Sequence, residues 1–282
     1  ELLMPQSEWT GPIDSDRSRY RHIPLGHAGL SWPISDKVSL GLVFWSKGQL
    51  GSDFRMRYVM DPWTRRHVGA DMRDFGFGLN AGFRVTDKLT IGAGLRTELA
   101  TSEFTSVRGP ATVEFGRGWS AGGGFQLGAH YQLTPKLALG VGYRSPTWFQ
   151  DWLGDNYSSA LTNDWKASVP GIFPIPIGHA IVNHVVLPQR LAAGLAWEAT
   201  DRLRLTTEAR WINYDRSTMN IADFNVAGPI PMTFPTHIQY RDQYAMMAGA
   251  EYKLTDHWTI GGGYHYATNP IDRKALLPIA DM

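Results

Sequence analysis

The segment YAMMAGAEYKLTDHWTIGGGYHY, residues 244–266, decides the fold class of this chain. At its centre, Thr255 and Asp256 are turn-forming residues, because their side chains bond to the local backbone. Counting outward by twos gives Tyr, Ala, Ala, Met, Tyr before the turn and Trp, Ile, Gly, Tyr, Tyr after it. This period of two predicts a β-hairpin with one apolar face.

The same turn pattern occurs five times along the chain. It consists of an aromatic residue, any residue, an apolar residue or Ala, Ser or Thr, Asp or Pro, and a basic residue or His. The copies begin at Trp32, Phe83, Tyr131, Trp197 and Tyr252. Apolar and aromatic residues alternate on both sides of each copy, and the opposite phase contains the charges and many glycines. We therefore predict five hairpins, hence ten antiparallel strands with one apolar and one polar face.

The connections between these hairpins distinguish a membrane barrel from a soluble β-sandwich or a lipocalin-type barrel. The turns are short, whereas the other connections run over about residues 46–73, 100–119, 145–186 and 213–242. Short turns at one end, long loops at the other and an aromatic girdle are typical of outer-membrane barrels. We predict an all-β fold, a transmembrane antiparallel up-and-down β-barrel in the Gram-negative outer membrane. Its apolar face would contact lipid, and its charged face would line the lumen.

Composition excludes several other classes of protein. The chain has 27 basic and 26 acidic residues, a net charge of +1 and no Cys. The near-neutral charge argues against nucleic-acid partners, and the absence of Cys excludes disulfide scaffolds and Cys-ligated metals. No apolar run reaches the length of a membrane-spanning helix. His179 and His184 lie five residues apart in a Pro-rich segment with no third ligand apparent, so we predict no metal and no cofactor.

Four segments carry a family resemblance: residues 26–54, 137–152, 187–214 and 240–272. With these segments the chain resembles the FadL/TodX family of outer-membrane transporters for long-chain fatty acids and other hydrophobic compounds. The resemblance implies a 14-stranded barrel with an N-terminal hatch. The ten predicted strands match the second to the eleventh of that barrel. We therefore expect residues 1–282 to form a single barrel domain that lacks the hatch, the first strand and the last three strands. Such a chain is either a fragment, and thus an incomplete barrel, or a reduced barrel.

Apolar segments beside the predicted strands are candidates for contact with a hydrophobic substrate. In the resembled family, the strand that corresponds to residues 38–50 is kinked and opens a lateral gap. Gly48 falls at the kink, near Trp45, although it could equally be an ordinary loop-entry glycine. Further apolar candidates lie in the predicted long loops, which form a docking groove in the family: Phe54, Met56, Trp148, Phe149, Trp152 and Phe173. Loop packing that caps the barrel is the alternative for each of them.

Four arginines are candidates for binding the carboxylate of an acidic substrate. The strand phase directs Arg96, Arg144 and Arg210 into the lumen, and Arg241 lies where the resembled family often has a basic residue. Guanidinium groups suit this role because they bind carboxylates with two parallel hydrogen bonds. The alternative is a ladder of salt bridges with the lumen residues Glu98, Glu208 and Glu251.

These features predict passive transport of hydrophobic compounds across the outer membrane. The expected partners are small molecules, either long-chain fatty acids or aromatic hydrocarbons, and outer-membrane lipid; we expect a monomer and no enzymatic activity. Two alternatives remain: a lipid hydrolase that uses His130 or His265, and a purely structural or adhesive barrel. The sequence contains no His-x-Ser pair, which argues against a hydrolase with a neighbouring nucleophile and base.

Overall fold

The protein is described from a computed structural model, which covers residues 2–3, 8–10, 13–19, 23–24, 26–59, 61–108, 111–150, 159–168, 175–221, 223–227, 232–235 and 239–271. Four short strands precede the first predicted hairpin: β1 (Leu2–Leu3), β2 (Glu8–Thr10), β3 (Ser15–Arg17) and β4 (Ile23–Pro24). β1 pairs with β4 and β2 pairs with β3, in two small antiparallel sheets.

The next six strands are neighbours in chain order and form the first half of a large antiparallel sheet. They are β5 (His27–Pro33), β6 (Val38–Tyr58), β7 (Asp61–Arg84), β8 (Leu89–Arg108), β9 (Ala111–Thr134) and β10 (Leu137–Arg144). Successive strands of this set are hydrogen-bonded to each other, from β5 with β6 to β9 with β10, as expected for an up-and-down wall.

The remaining elements complete this wall and build a second region beside it. They are β11 (Thr147–Phe149), β12 (Ser159–Ser168), β13 (Ile175–Asn183), β14 (Val186–Leu187), β15 (Arg190–Glu198), β16 (Leu203–Ile212), α1 (Thr218–Ile221), β17 (Asp223–Ala227), β18 (Met232–Pro235), β19 (Gln243–Lys253) and β20 (Thr259–Ala267). The wall continues in the order β10-β15-β16-β19-β20. Among the described residues, β5 pairs only with β6 and β20 only with β19.

All five predicted hairpins are confirmed, and the Ser or Thr of each turn bonds to the backbone as expected. The hydroxyl of Ser35 accepts the Val38 N–H at 3.2 Å, and the hydroxyl of Thr86 accepts the Leu89 N–H at 3.0 Å. Thr200 and Thr255 do the same for the third residue after them. In the copy that contains Pro, Thr134 accepts the Lys136 N–H at 3.3 Å. The turn residues therefore fix the register of each hairpin.

This register places the aromatic and aliphatic residues on one exposed face of the wall. Tyr252 lies opposite Ile260, and Leu139 lies opposite both Tyr131 and Leu195. The side chain of Leu127, near the middle of β9, is 51% exposed. A continuous apolar surface of this extent is stable only against lipid or another apolar partner. The predicted separation into a lipid face and a lumen face is therefore present.

Two of the predicted long loops are instead extensions of the wall strands. β6 continues to Tyr58 and β7 begins at Asp61, and β8 and β9 are likewise separated by only two residues. The 21 residues of β6 span about 70 Å along the strand, far more than an apolar band of about 25 Å requires. The paired backbone satisfies its own hydrogen bonds, so the two hairpins stand above the bilayer as strands.

Strand β9 changes its partner along its length. Near its C-terminal end it pairs with β10, at Gly122 and Gly123 it pairs with β11, and near its N-terminal end it pairs with β12. The second region then continues from β12 through β13 and β17 to β18. None of the described helices has the length and apolarity that crossing a membrane requires.

Candidate functional site

The lumen face contains a buried group of charged and polar residues, here called the Arg96 cluster: Arg96, Glu98, Arg144, Ser145 and Thr147. The side chains of Arg96 and Glu98 are fully buried, and Arg96 Nη1 forms an ion pair with Glu98 Oε1. Arg96 also donates to Thr147 Oγ1 at 3.1 Å and to the Ser145 carbonyl oxygen at 2.9 Å. Arg144 Nη2 donates to the same Glu98 oxygen at 2.6 Å. The cluster therefore joins β8, β10 and β11.

The salt-bridge alternative accounts for much of the lumen charge. Protein groups already accept hydrogen bonds from both Nη atoms of Arg96. Arg210 donates to Glu208 Oε1 through Nε at 3.0 Å and through Nη2 at 2.6 Å. Arg204 Nε lies 3.5 Å from Glu198 Oε1, and Arg204 Nη1 lies 3.6 Å from Glu251 Oε2. Arg241 precedes β19 in an exposed position, and its N–H bonds to the Pro270 carbonyl oxygen at 2.8 Å.

Trp45 lies on the lumen face of β6, directly opposite Gly76 of β7. Its indole covers Gly76 so closely that a Cβ at this position would overlap the ring, and a Cβ at Gly78 would lie 3.0 Å from Cζ3. The guanidinium carbon of Arg144 is 5.2 Å from the centroid of the Trp45 ring. This distance is within the range of a cation–π contact. Trp45 and Arg144 thus connect β6 with β10 across the lumen face.

The backbone is irregular at the predicted kink. Ser46 pairs with Phe75 and Gly48 pairs with Asp74, so one residue, Lys47, is inserted as a β-bulge. The pairing of β6 with β5 ends just before the bulge, at Trp45 opposite His27. A lateral opening at Gly48 stays a prediction.

Several predicted apolar contact residues are packed rather than open. The Phe149 side chain is buried with Ala100, Val182 and Val185, and Leu187 packs against them. Its ring also covers Gly122, where a Cβ would lie 2.7 Å from Cδ1. This packing explains why residue 122, the first of the three consecutive glycines at 122–124, is glycine: a side chain there would collide with the Phe149 ring.

The other apolar candidates fall into three groups. The side chains of Phe54 and Met56 are buried and belong to strand β6, which replaces the exposed loop that was expected there. Trp148 is partly exposed on β11. Trp152 and Phe173 lie outside the described residues. Phe54, Met56 and Phe149 are therefore buried in the protein, which favours the capping alternative for these three residues.

A lumen cavity of about 410 Å³ is lined by Arg144, Arg190 and Arg210. Gln126 and Asn80 line it as well and bond to each other through their amides. Arg190 was not among the predicted contact residues, and its Nε is buried with no hydrogen-bond partner in the described part of the chain. Arg190 lies opposite Arg144 in the pairing of β10 with β15. Aligning the two predicted strands from their turns would have found it.

The cavity continues over a row of small residues that cross five strands in register: Gly82, Gly92, Gly128, Gly142 and Ala192. Side chains are thus nearly absent from the lumen face at this level. Among the described residues, no group of three or more His, Asp or Glu side chains could hold a metal ion. The arrangement offers an open path with basic groups on one side, and an apolar cap above it.

Comparisons with known proteins agree with this geometry. The family model described as outer membrane protein transport protein (OMPP1/FadL/TodX) matches residues 16–282. The fold resembles the Ralstonia pickettii toluene transporter TbuX, with a TM-score of 0.72, 18% identity and coverage of 92% of this chain and 71% of that one. It resembles the P. putida toluene transporter TodX, with a TM-score of 0.77, 16% identity and coverage of 95% and 72%.

A Pseudomonas aeruginosa FadL homologue gives a TM-score of 0.72 at 17% identity, covering 90% of this chain and 62% of that one. A search of curated proteins gave no match. At these identities the solved structures establish the fold, which confirms the predicted outer-membrane β-barrel class.

Proposed function

Because the chain belongs to the OMPP1/FadL/TodX family of outer-membrane transport proteins, we propose that it lets small hydrophobic compounds diffuse passively through its lumen. Family membership places it in the outer membrane of Gram-negative bacteria, as a transporter of hydrophobic compounds and not an enzyme. The family and the named solved relatives give no support to the hydrolase or the adhesive alternative. We further propose that it acts as a monomer, with its aromatic face against lipid.

The cavity above the row of small residues is the observation that carries the proposed path. A compound captured at the apolar cap around Phe149 would pass the Arg96 cluster and enter this cavity. Few side chains obstruct the lumen below, because the facing residues are glycine and alanine. The protein need supply only an apolar, partly dry route, since downhill diffusion requires no chemical step.

Aromatic hydrocarbons are our first candidate substrates, because two of the solved relatives are named toluene transporters. A fatty acid or another compound with an acidic group is the second candidate. It is favoured by Arg144, Arg190 and Arg210, which line the cavity together. In this proposal Arg190 is the best-placed carboxylate contact, since Arg96 and Arg210 already bind Glu98 and Glu208.

Flux into liposomes that contain the purified chain tests the proposal. The compounds are toluene, benzoate and a long-chain fatty acid. Gly128→Trp places a large side chain in the proposed path, whereas Leu127→Trp, its neighbour, changes only the lipid face. We expect Gly128→Trp to reduce flux at least about tenfold and Leu127→Trp to leave it unchanged. Toluene crosses lipid unaided, so flux is taken relative to protein-free liposomes; no excess flux for any of the three compounds with the unmodified chain would contradict the proposal.

A further inference from the structure

We propose that Trp45 and Arg144 form an aromatic gate in the lumen, which an aromatic compound opens by replacing the Trp45 ring on the Arg144 guanidinium. The inference rests on the proposed transport function and adds a substrate feature to it. The feature is a planar aromatic ring, as opposed to a saturated ring of the same size.

The position of Trp45 is the first step of the argument. The backbone at Gly76 occupies one face of the indole, so Arg144 contacts the ring from the lumen side. A flat ring fits between a bare glycine backbone and a guanidinium, whereas a saturated ring is thicker. The space that Trp45 now fills therefore has the shape of an aromatic slot.

Arg144 connects this slot to the path of the substrate. Its guanidinium contacts the Trp45 ring, and the same residue lines the cavity below. It is surrounded by like charges, since Arg96 and Arg190 both interact with it electrostatically, and Glu98 is its ion-pair partner. The negative face of an aromatic ring attracts such a cation without forming a salt bridge that would trap the compound.

In the closed position, the indole N–H of Trp45 lacks a hydrogen bond. The Nε1 atom is buried and has no hydrogen-bond partner in the part of the chain that the structure describes. A buried donor without an acceptor raises the free energy of the conformation that buries it. Exchange of Trp45 for a ring without an N–H removes this penalty. The gate is therefore biased toward opening for a hydrocarbon ring.

The test compares toluene with methylcyclohexane, which has the same carbon skeleton and no aromatic ring. Influx of both compounds is measured in liposomes that contain the full chain. We expect toluene to enter about tenfold faster than methylcyclohexane, since cation–π contacts in dry sites reach this strength. Equal influx of the two compounds would overturn the gate and leave the transport proposal intact. All influx is taken relative to protein-free liposomes, because both hydrocarbons cross lipid unaided; no excess influx of either compound would overturn the transport proposal, and the gate with it.

Variants assign the selectivity to the two residues. Trp45→Ala and Arg144→Met should reduce the ratio of toluene to methylcyclohexane influx to about one, whereas Trp45→Phe should keep it. Trp119→Ala is the matched control, because Trp119 is an exposed Trp that lies well away from the lumen. A ratio unchanged by Trp45→Ala and Arg144→Met would overturn the assignment. If either variant fails to fold, the wild-type ratio and Trp45→Phe still decide the question.

Discussion

The Nη2 atom of Arg96 donates to the carbonyl oxygen of Ser145 at 2.9 Å, which fixes the residue after β10 against strand β8. The two residues are 49 positions apart in the chain. This bond holds the connection from β10 to β11 over the lumen, and it depends on Glu98, which compensates the charge of Arg96. The stability of the cap thus depends on one buried carboxylate.

Replacing that carboxylate should destabilise the protein strongly. Glu98→Gln leaves the buried Arg96 and its neighbour Arg144 without a counter-charge, and we expect a loss of about 3–5 kcal/mol in the free energy of unfolding. Urea unfolding of the protein in detergent measures this loss. Glu208→Gln is the control, because the Arg210–Glu208 pair is one-third exposed and should contribute about 0–1 kcal/mol. Similar losses for both variants would show that the Arg96 cluster has no special role.

The close approach of Phe149 to Gly122 predicts that a larger residue at position 122 loosens β11. Gly122→Ala places a Cβ 2.7 Å from the Phe149 ring, so the ring must leave its pocket and β11 should loosen. We expect faster cleavage of the connection between β10 and β15 by a protease. Combining it with Phe149→Ala should remove the clash with the ring, but the new Cβ would still lie 2.9 Å from the Trp148 carbonyl oxygen, so the packing should not be restored. Gly140→Ala is the control, since a Cβ there meets nothing within 4 Å. A Gly122→Ala variant that resists the protease as well as Gly140→Ala does would refute the prediction.

A new charge should destabilise the protein to different extents at two neighbouring residues of β10. Val141 is exposed on the lipid face, whereas Gly140 faces the lumen and lines cavities there. Val141→Arg should cost about 2–4 kcal/mol, because the charge would lie near the middle of the bilayer. Gly140→Arg should cost less than about 1 kcal/mol, because its side chain reaches water. Unfolding in lipid vesicles measures both values, and a reversed order would invert the assignment of the two faces.

The tip of the hairpin formed by β6 and β7 should open at low pH. Arg66 Nη2 lies 2.8 Å from Asp61 Oδ2 and holds the pKa of Asp61 below its ordinary value of 3.8. The Arg66–Asp61 ion pair therefore stabilises the tip fully above pH 3.8, the ordinary pKa of Asp. This stabilisation is lost as the pH falls through the lower pKa that Asp61 has in the folded state. Pepsin cleavage near Tyr58, corrected for the activity of pepsin at each pH, should increase below pH 3.8. Asp61→Asn should be cleaved equally at every pH, and an unchanged pH response in this variant would contradict the prediction.

Much of the wall could be predicted from the sequence because each turn fixed the phase of two strands. The period of two around Thr86 or Thr255 assigns each flanking residue to one face of the hairpin, and the strand registers in the structure confirm these faces. The upper parts of β6 and β7 were missed because the alternation of lipid and lumen faces no longer applies above the bilayer. Phe54 and Met56 are apolar there because they are packed, not because they form an open loop.

The site was harder to predict because it depends on contacts between distant strands. A period of two shows that Arg96 and Arg144 face inward, but it does not show that both bind one oxygen of Glu98. The contact of Arg144 with Trp45 depends on the curvature of the wall from β6 to β10. No pattern within one strand contains that information. The position of Arg190 opposite Arg144, by contrast, could have been predicted from the strand register alone.

The exchange of partners along β9 has a consequence for how such a protein diversifies. Because β10 joins β9 near one end and β12 joins it near the other, the second region from β12 to β18 is paired with the wall through β9 among the described residues. Changes in β12, β13, β17 and β18 can reshape what is captured from the surroundings while the conduit beneath keeps its dimensions. Selection can therefore change residues in this second region while the strands that line the lumen stay the same.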